Sequence, residues 1–158
     1  MSRSTKVGSR REIGSAIERT YRLDDAVEVT PGMLLEITGV ADDGTPIVGP
    51  QSADGGNVSV RIAVEKMTGS TTEREQPKDV DYTEANDEVR AYVLRPGEGD
   101  ENGIGQADID ELDYVVSNGD GTFRAFDDDP GTDTEGGKLA VALEGVAEAG
   151  DRFEYEVI

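Results

Sequence analysis

The residues whose types and spacing suit chemistry are carboxylates. Asp127-Asp128-Asp129-Pro130-Gly131-Thr132-Asp133-Thr134-Glu135 puts hard oxygen ligands in one short run, and Asp127, Asp129, Asp133 and Glu135 are the candidates to hold a cation. The spacing departs from an EF-hand loop. Gly131 stands where a ligand is expected and Glu135 closes the run too early. A solvated acidic turn is the simpler reading, and it applies more strongly to Asp24-Asp25 and Asp42-Asp43. Nucleophilic catalysis has little to work with: the chain has no His and no Cys, so a base would have to be Lys, Asp, Glu or Tyr. There is no Gly-x-Ser-x-Gly elbow, phosphate loop or dinucleotide fingerprint, and Gly103-Ile104-Gly105 lacks the third Gly and the flanking strand and helix. Paired carboxylates can cleave glycosides, but 35 acids make accidental pairs unavoidable, and three Phe, five Tyr and no Trp do not suggest an aromatic-lined sugar cleft. The expectation is a protein that is not an enzyme and uses no cofactor.

The elements that must position these residues sit in an unusual composition. The formal charge is -20, with 15 basic residues of which only Lys6, Lys66, Lys78 and Lys138 are lysines. Many carboxylates with little Lys is the surface chemistry of a protein that works in molar salt, where the Debye length shrinks to roughly 3 Å. Low hydrophobicity with high net charge is also the signature of disorder, but several clean period-two runs argue against it. No apolar run approaches the ~20 residues of a membrane span, and Met1-Ser2-Arg3-Ser4-Thr5-Lys6 is not followed by an apolar signal region, so no membrane partner is expected.

Charge is unevenly placed. Residues 1–22 carry six basic side chains against Glu12 and Glu18, a net of +4, which leaves -24 for the remainder. The chain reads as a basic N-terminal arm, residues 1–20, on a single acidic β-domain, residues 21–158. Basic arms bind nucleic acid, but the acidic body would repel phosphate and no aromatic residues interleave with the basic ones, so nucleic acid is not expected. Arg10, Arg11, Arg19 and Arg22 are the candidates for contact with an acidic neighbouring protein or another subunit.

The pattern along the chain is all-β. Val27-Glu28-Val29, Thr30-Pro31-Gly32 and Met33-Leu34-Leu35-Glu36-Ile37 read as strand, turn and strand, and Asp42-Asp43-Gly44-Thr45 turns the chain into Pro46-Ile47-Val48. Residues 58–64 alternate cleanly, 88–94 resume a strand, and short strands at about ten-residue spacing suit a sandwich or barrel. Residues 68–79 read as a long exposed connection, and the stretch after Arg95-Pro96-Gly97 as a polar loop. Tyr114-Val115-Val116-Ser117 and Thr122-Phe123-Arg124-Ala125-Phe126 flank Asn118-Gly119-Asp120-Gly121, a hairpin signal. Residues 139–146 fit a helix face or a buried strand, with the glycines around them favouring the strand. In the final strand, Phe153, Tyr155 and Val157 share a buried face. The stretch 108–158 should close the folded body, leaving binding to the arm and the long loops.

The order of these segments resembles the head decoration (cement) proteins of tailed phages and haloarchaeal tailed viruses. The match runs through Tyr21; Thr30-Pro31-Gly32-Met33-Leu34; Arg61-Ile62-Ala63-Val64-Glu65 with Gly69; Val80-Asp81-Tyr82 and Asp87-Glu88-Val89-Arg90-Ala91; Asp113-Tyr114-Val115-Val116 with Asp120-Gly121; Ala140-Val141-Ala142-Leu143-Glu144; and Arg152 to Val157. Asn86 and Leu112 stand where the family commonly has a Gly before the Asp. The resemblance implies a small β-barrel or β-tulip-like domain, commonly a homotrimer, on the outer capsid surface of the virion and bound to the major capsid protein. It also makes residues 140–144 a strand. A capsid turret or spike base, or a halophilic cell-surface or carbohydrate-binding β-module, are the alternatives.

Overall fold

The computed structural model describes residues 11–12, 17–25, 27–70, 73–78, 80–85, 87–129 and 131–158, with the backbone alone at 11–12, 67–70 and 73–78. Its secondary structure is almost entirely β. In chain order the strands are β1 (Arg11–Glu12), β2 (Ile17–Leu23), β3 (Leu35–Val40), β4 (Pro46–Pro50), β5 (Val60–Ala63), β6 (Lys66–Ser70), β7 (Glu73–Lys78), β8 (Glu88–Leu94), β9 (Gly99–Ile104), β10 (Tyr114–Ser117), β11 (Phe123–Ala125), β12 (Ala140–Ala142) and β13 (Arg152–Val157), with one 3₁₀ turn at Glu135–Gly137. They form a six-stranded sheet in the order β1-β9-β13-β12-β10-β11, a five-stranded sheet in the order β3-β4-β2-β8-β5, and the separate hairpin β6-β7.

Two apolar clusters follow from strand alternation. Phe153, Tyr155 and Val157 of β13 point into the first with Phe123, Val115 and Ala140, and the three aromatic rings meet edge-to-face or tilted with centroids 4.8–5.6 Å apart. Such pairs add about 0.5–1.5 kcal/mol each beyond area burial. The second cluster holds Tyr21, Leu23, Val48, Tyr82, Val89 and Ala91 inside the curl of the five-stranded sheet. Val60 and Ile62 of β5 and Leu94 of β8 face the other way and join the first cluster. Adjacent residues of one sheet thereby feed two cores, as a period of two requires.

The expected barrel is not closed. The first sheet curls until Gly105 meets Phe123 in a single parallel bridge, and the second until Leu34 meets Ile62 in a single antiparallel one. Closure stops there because the chain leaves β9 for the 106–113 loop and enters β3 from the Pro31-Gly32 corner, so neither edge has length left to pair. That corner is a turn with Met33 N–H donating to Thr30 O at 3.0 Å and Gly32 at φ +101°. A Cβ at Gly32 would meet the Asn102 carbonyl oxygen and the Arg152 guanidinium, so only glycine fits. Arg152 Nη1 donates to Pro31 O at 2.6 Å and to Asn102 O at 3.2 Å, fastening the corner to β9.

Two other expectations are corrected. Residues 68–79, expected as an irregular connection, lie largely in the β6-β7 hairpin, with Lys66 paired to Lys78 and Met67 to Pro77. Its Thr-, Glu- and Gln-rich sequence has no apolar alternation because it pairs only with itself. The polar stretch after Arg95-Pro96-Gly97 is β9, which pairs with β13 and lies inside the first sheet. β3, β4, β5, β8, β10, β11, β12 and β13 overlap the segments read as strands, including Ala140–Ala142, whereas Val27-Glu28-Val29 contributes only the bridge of Val29 to Tyr82 and β2 begins inside the segment read as the arm.

Candidate interaction surface

The acidic run is organised around Arg124. Arg124, on β11, donates through Nη1 to Asp133 Oδ2 at 2.7 Å and through Nη2 to Asp133 Oδ1 at 2.8 Å, while its Nε reaches Asp54 Oδ1 at 3.0 Å. The Asp127 N–H donates to Asp133 Oδ2 at 2.8 Å, so the buried carboxylate closes the turn from inside. Hydrogen bonds from Arg124 hold the Asp133 carboxyl below the usual carboxylate range despite burial, and the guanidinium is pushed up in turn. Glu135 is paired with Lys138 Nζ at 2.9 Å. Of the four predicted cation ligands, Asp133 and Glu135 are therefore committed to Arg124 and Lys138. Asp127 and Asp129 do come together, but with Asp128, their carboxylate oxygens within 4.8 Å of one another at the surface. The Asp129 N–H donates to Asp127 Oδ1 at 3.0 Å, the geometry of a solvated Asx turn.

The four arginine candidates separate. Arg10 lies outside the described residues. Arg11 belongs to β1, which pairs with the edge of β9 in the register Arg11 opposite Asp100. Arg19 lies exposed on β2 opposite Ala91. Arg22 is paired with Asp43 at the tip of the β3-β4 hairpin, Nη2 to Oδ2 at 2.6 Å. The Asp43 pKa is lowered, chiefly by the Thr45 N–H that donates to it. β2 begins at Ile17, inside the segment read as the arm, and its pairing with β8 runs from Ile17 opposite Val93 to Arg22 opposite Glu88. Arg19 and Arg22, three positions apart on β2, fall on opposite faces of the strand.

The surface the sequence missed lies on the outer face of the six-stranded sheet. Tyr114 stands opposite Val141, and Leu143 follows just beyond the end of β12. Tyr114 is 44% exposed and Leu143 39% exposed. Leu112 precedes them in a turn held by Asp113 N–H to Asp110 O at 3.0 Å and Asp110 N–H to Asp113 Oδ2 at 2.9 Å. In that turn Leu112 has φ +73° and is 67% exposed. A branched apolar side chain in the left-handed region costs about 1–2 kcal/mol relative to glycine, and here burial gives nothing back. Lys138 Nζ lies 4.3 Å from the Tyr114 ring centroid and 4.5 Å from that of Phe126. The cleft between them has a volume of about 400 Å³ and a rim of Asp113, Asp128 and Glu135.

Other titrating groups serve the fold. Tyr82 is buried, donates to Val64 O at 2.7 Å, and burial pushes its phenol up to about 12. Burial pushes the Asp87 carboxyl up, but the Lys66 hydrogen bond and the Glu84 and Thr83 N–H donors outweigh it and the pKa is lowered. At Asp120 burial is likewise outweighed by the hydroxyl and N–H of Thr122, which close the β10-β11 turn. No helix of the described residues is long and apolar enough to cross a membrane. Neither a scan against protein-family models nor a search of curated proteins returned a match.

Proposed function

We propose that this chain is a capsid decoration protein that binds the outside of an icosahedral viral head and stabilises the lattice of the major capsid protein at high salt. Binding alone supplies the mechanism. Contacts that exist only when neighbouring capsid subunits are correctly arranged stabilise that arrangement by mass action. The reading is supported by the contrast in charge along the chain and by the strand that follows its basic start. Residues 1–10 carry +3 in a chain of net charge -20, which suits contact with an acidic neighbour, and the next described strand, β1, is the outer strand of the six-stranded sheet beside β9. In molar salt such charge contacts are screened, so apolar and hydrogen-bonded contacts must supply most of the affinity. The homotrimeric state and outer-surface location belong to the same proposal.

The test is re-addition of the purified protein to heads from which it has been stripped. Full-length protein should return at high copy number and protect the heads from rupture on dialysis into low salt. A few copies per particle would instead indicate a turret at a symmetry axis, and no co-sedimentation at any salt concentration would remove the capsid reading. Deletion of residues 1–10 should weaken head binding. That deletion is preferred to removal of 1–20, which would also take Ile17 to Thr20 from β2.

A further inference from the structure

Most of the described acids lie at the surface, but Glu98, just before β9, and Asp100, on β9, are only 6% and 2% exposed. They stand two positions apart in a regular stretch, where Asp100 is opposite Tyr155 and Gly99 opposite Glu156, and Val157 N–H donates to Glu98 O at 2.8 Å. Both side chains therefore fall on the face that carries Tyr155 and Val157. Arg95 N–H donates to Glu98 Oε1 at 3.1 Å and closes the turn into β9, while Glu98 Oε2 is buried with no hydrogen-bond partner among the described residues. A carboxylate taken out of water stays ionised only beside a cation or enough donors, and two of them on one face raise that demand.

We infer that this carboxylate pair seats a guanidinium from the chain's own N-terminal basic segment, supplied by Arg10-Arg11. The register carries the argument. β1 pairs with β9 so that position 11 stands directly across from Asp100, and positions directly across from one another share a face of the sheet. Residues 1–10, which lie outside the described part, lead directly into that position, and they hold Arg3, Lys6 and Arg10 with no acid. Burial sets Glu98 and Asp100 apart from the other acids of a chain of charge -20, because it excludes the water and salt that satisfy an exposed carboxylate. Guanidinium suits such a seat better than ammonium, being more weakly hydrated and carrying a fixed fork of donors that matches carboxylate oxygens. The buried arginine of the body, Arg152, stands opposite Ile104 at the far end of β9 and directs Nη1 to the carbonyl oxygens of Pro31 and Asn102. The seat stands apart from the capsid reading, because it rests on β1 and β9 alone. With Arg10-Arg11 seated, Arg3 and Lys6 are the basic residues of the segment left to reach a neighbour.

The experiment uses the full chain, melted in dilute buffer and at about 1 M KCl. Arg10→Gln/Arg11→Gln should lower Tm by at least about 5 °C in both, because it leaves two carboxylates buried without their counter-charge. In a Glu98→Gln/Asp100→Asn background the same arginine substitutions should change Tm by less than about 1 °C, since the groups they served are gone. Glu98→Gln alone keeps an acceptor for Arg95 N–H and should show the same coupling at smaller size if the double variant does not fold. Native-state trypsin gives a local readout. Cleavage after Arg10 and Arg11 should be at least about 10-fold faster in Glu98→Gln/Asp100→Asn than in the unsubstituted chain, with cleavage after Arg19 on β2 unchanged. An Arg10→Gln/Arg11→Gln Tm within about 1 °C of the unsubstituted chain, the result expected if a metal ion or an outside protein fills the seat, would overturn the inference. So would additive shifts, unchanged cleavage, or a Tm that rises with protein concentration, which would put a second copy's segment in the seat.

Discussion

Replacing Asp133 by alanine tests whether the acidic turn is a fastened part of the fold. The side chain is 2% exposed and that of Arg124 21% exposed. The substitution removes both oxygens that Arg124 grips and the acceptor of the Asp127 N–H. Removing one member of a buried ion pair costs roughly 3–5 kcal/mol. Arg124 keeps Asp54 at 3.0 Å and some contact with water, so the loss should be smaller, about 2–3 kcal/mol. For a chain of this size that is a fall in Tm of about 4–12 °C. Arg22→Ala is the control. The Arg22–Asp43 pair is well exposed, so its loss should cost less than about 0.5 kcal/mol. Both variants should be melted in dilute buffer and at about 1 M KCl, where the Debye length is roughly 3 Å. The small Arg22 effect should vanish in salt, while most of the Asp133 effect should persist, because screening ions do not enter the buried pair. An Asp133→Ala loss below about 0.5 kcal/mol, or one that disappears in salt, would refute the reasoning and make the turn an ordinary solvated loop.

Three further outcomes are expected. Gly103→Ala should destabilise by about 1–3 kcal/mol and alter the near-ultraviolet circular dichroism of the tyrosines, because its Cβ would lie 2.8 Å from the Tyr155 ring and 3.0 Å from Phe153. Acid should unfold the protein through Asp87, Asp120 and Asp133, whose folded pKa values are all lowered. Their contribution is complete above the unfolded carboxylate value near 3.9 and is lost as pH falls through the lower folded values, and Asp87→Asn should flatten that part of a urea-midpoint series against pH. Tyr82 has its pKa raised to about 12 from 10.0, so stability should be intact below pH 10 and decline as pH rises toward 12, with a late step in the phenolate absorbance that Tyr82→Phe removes.

What was legible in the sequence follows the physics of each strand. β8, the β10-β11 hairpin and β13 carry their own apolar face, so alternation announces them. β9 does not, because its glycines make room for a neighbour. A Cβ at Gly99 would overlap the Tyr155 carbonyl oxygen and one at Gly103 would meet the Tyr155 ring, so the apolar bulk of this part of the core sits on β13. The β6-β7 hairpin was illegible for a different reason, since its Ser-, Thr-, Glu- and Gln-rich sequence carries no apolar alternation and its strands pair only with each other. The acidic turn was found, but its partners were not: the attachment of Asp133 to Arg124 depends on how the turn folds back onto β11. Leu112 stood out in sequence only as a residue where the resembled family has glycine, and its strained φ and exposure gave that departure a physical content.

The same alternation decides how binding and folding divide the C-terminal third. The Asn118 to Gly121 turn belongs to the body: Leu34 N–H donates to Gly121 O at 2.8 Å, Gly121 N–H to Gln51 O at 3.1 Å, and Asn118 bridges to Asp54. Residues 108–158 were expected to close the fold and leave binding to the arm and loops. Yet a strand has two faces, and Val115 and Ala140 pair inward while Tyr114 and Val141 pair on the other face. The inward face fixes the register, because a one-residue slip would bury Tyr114 and expose Val115. That fixed register then holds Tyr114 beside Val141 and Leu112, so the element that closes the core also positions the outward apolar face with little freedom left to lose on binding.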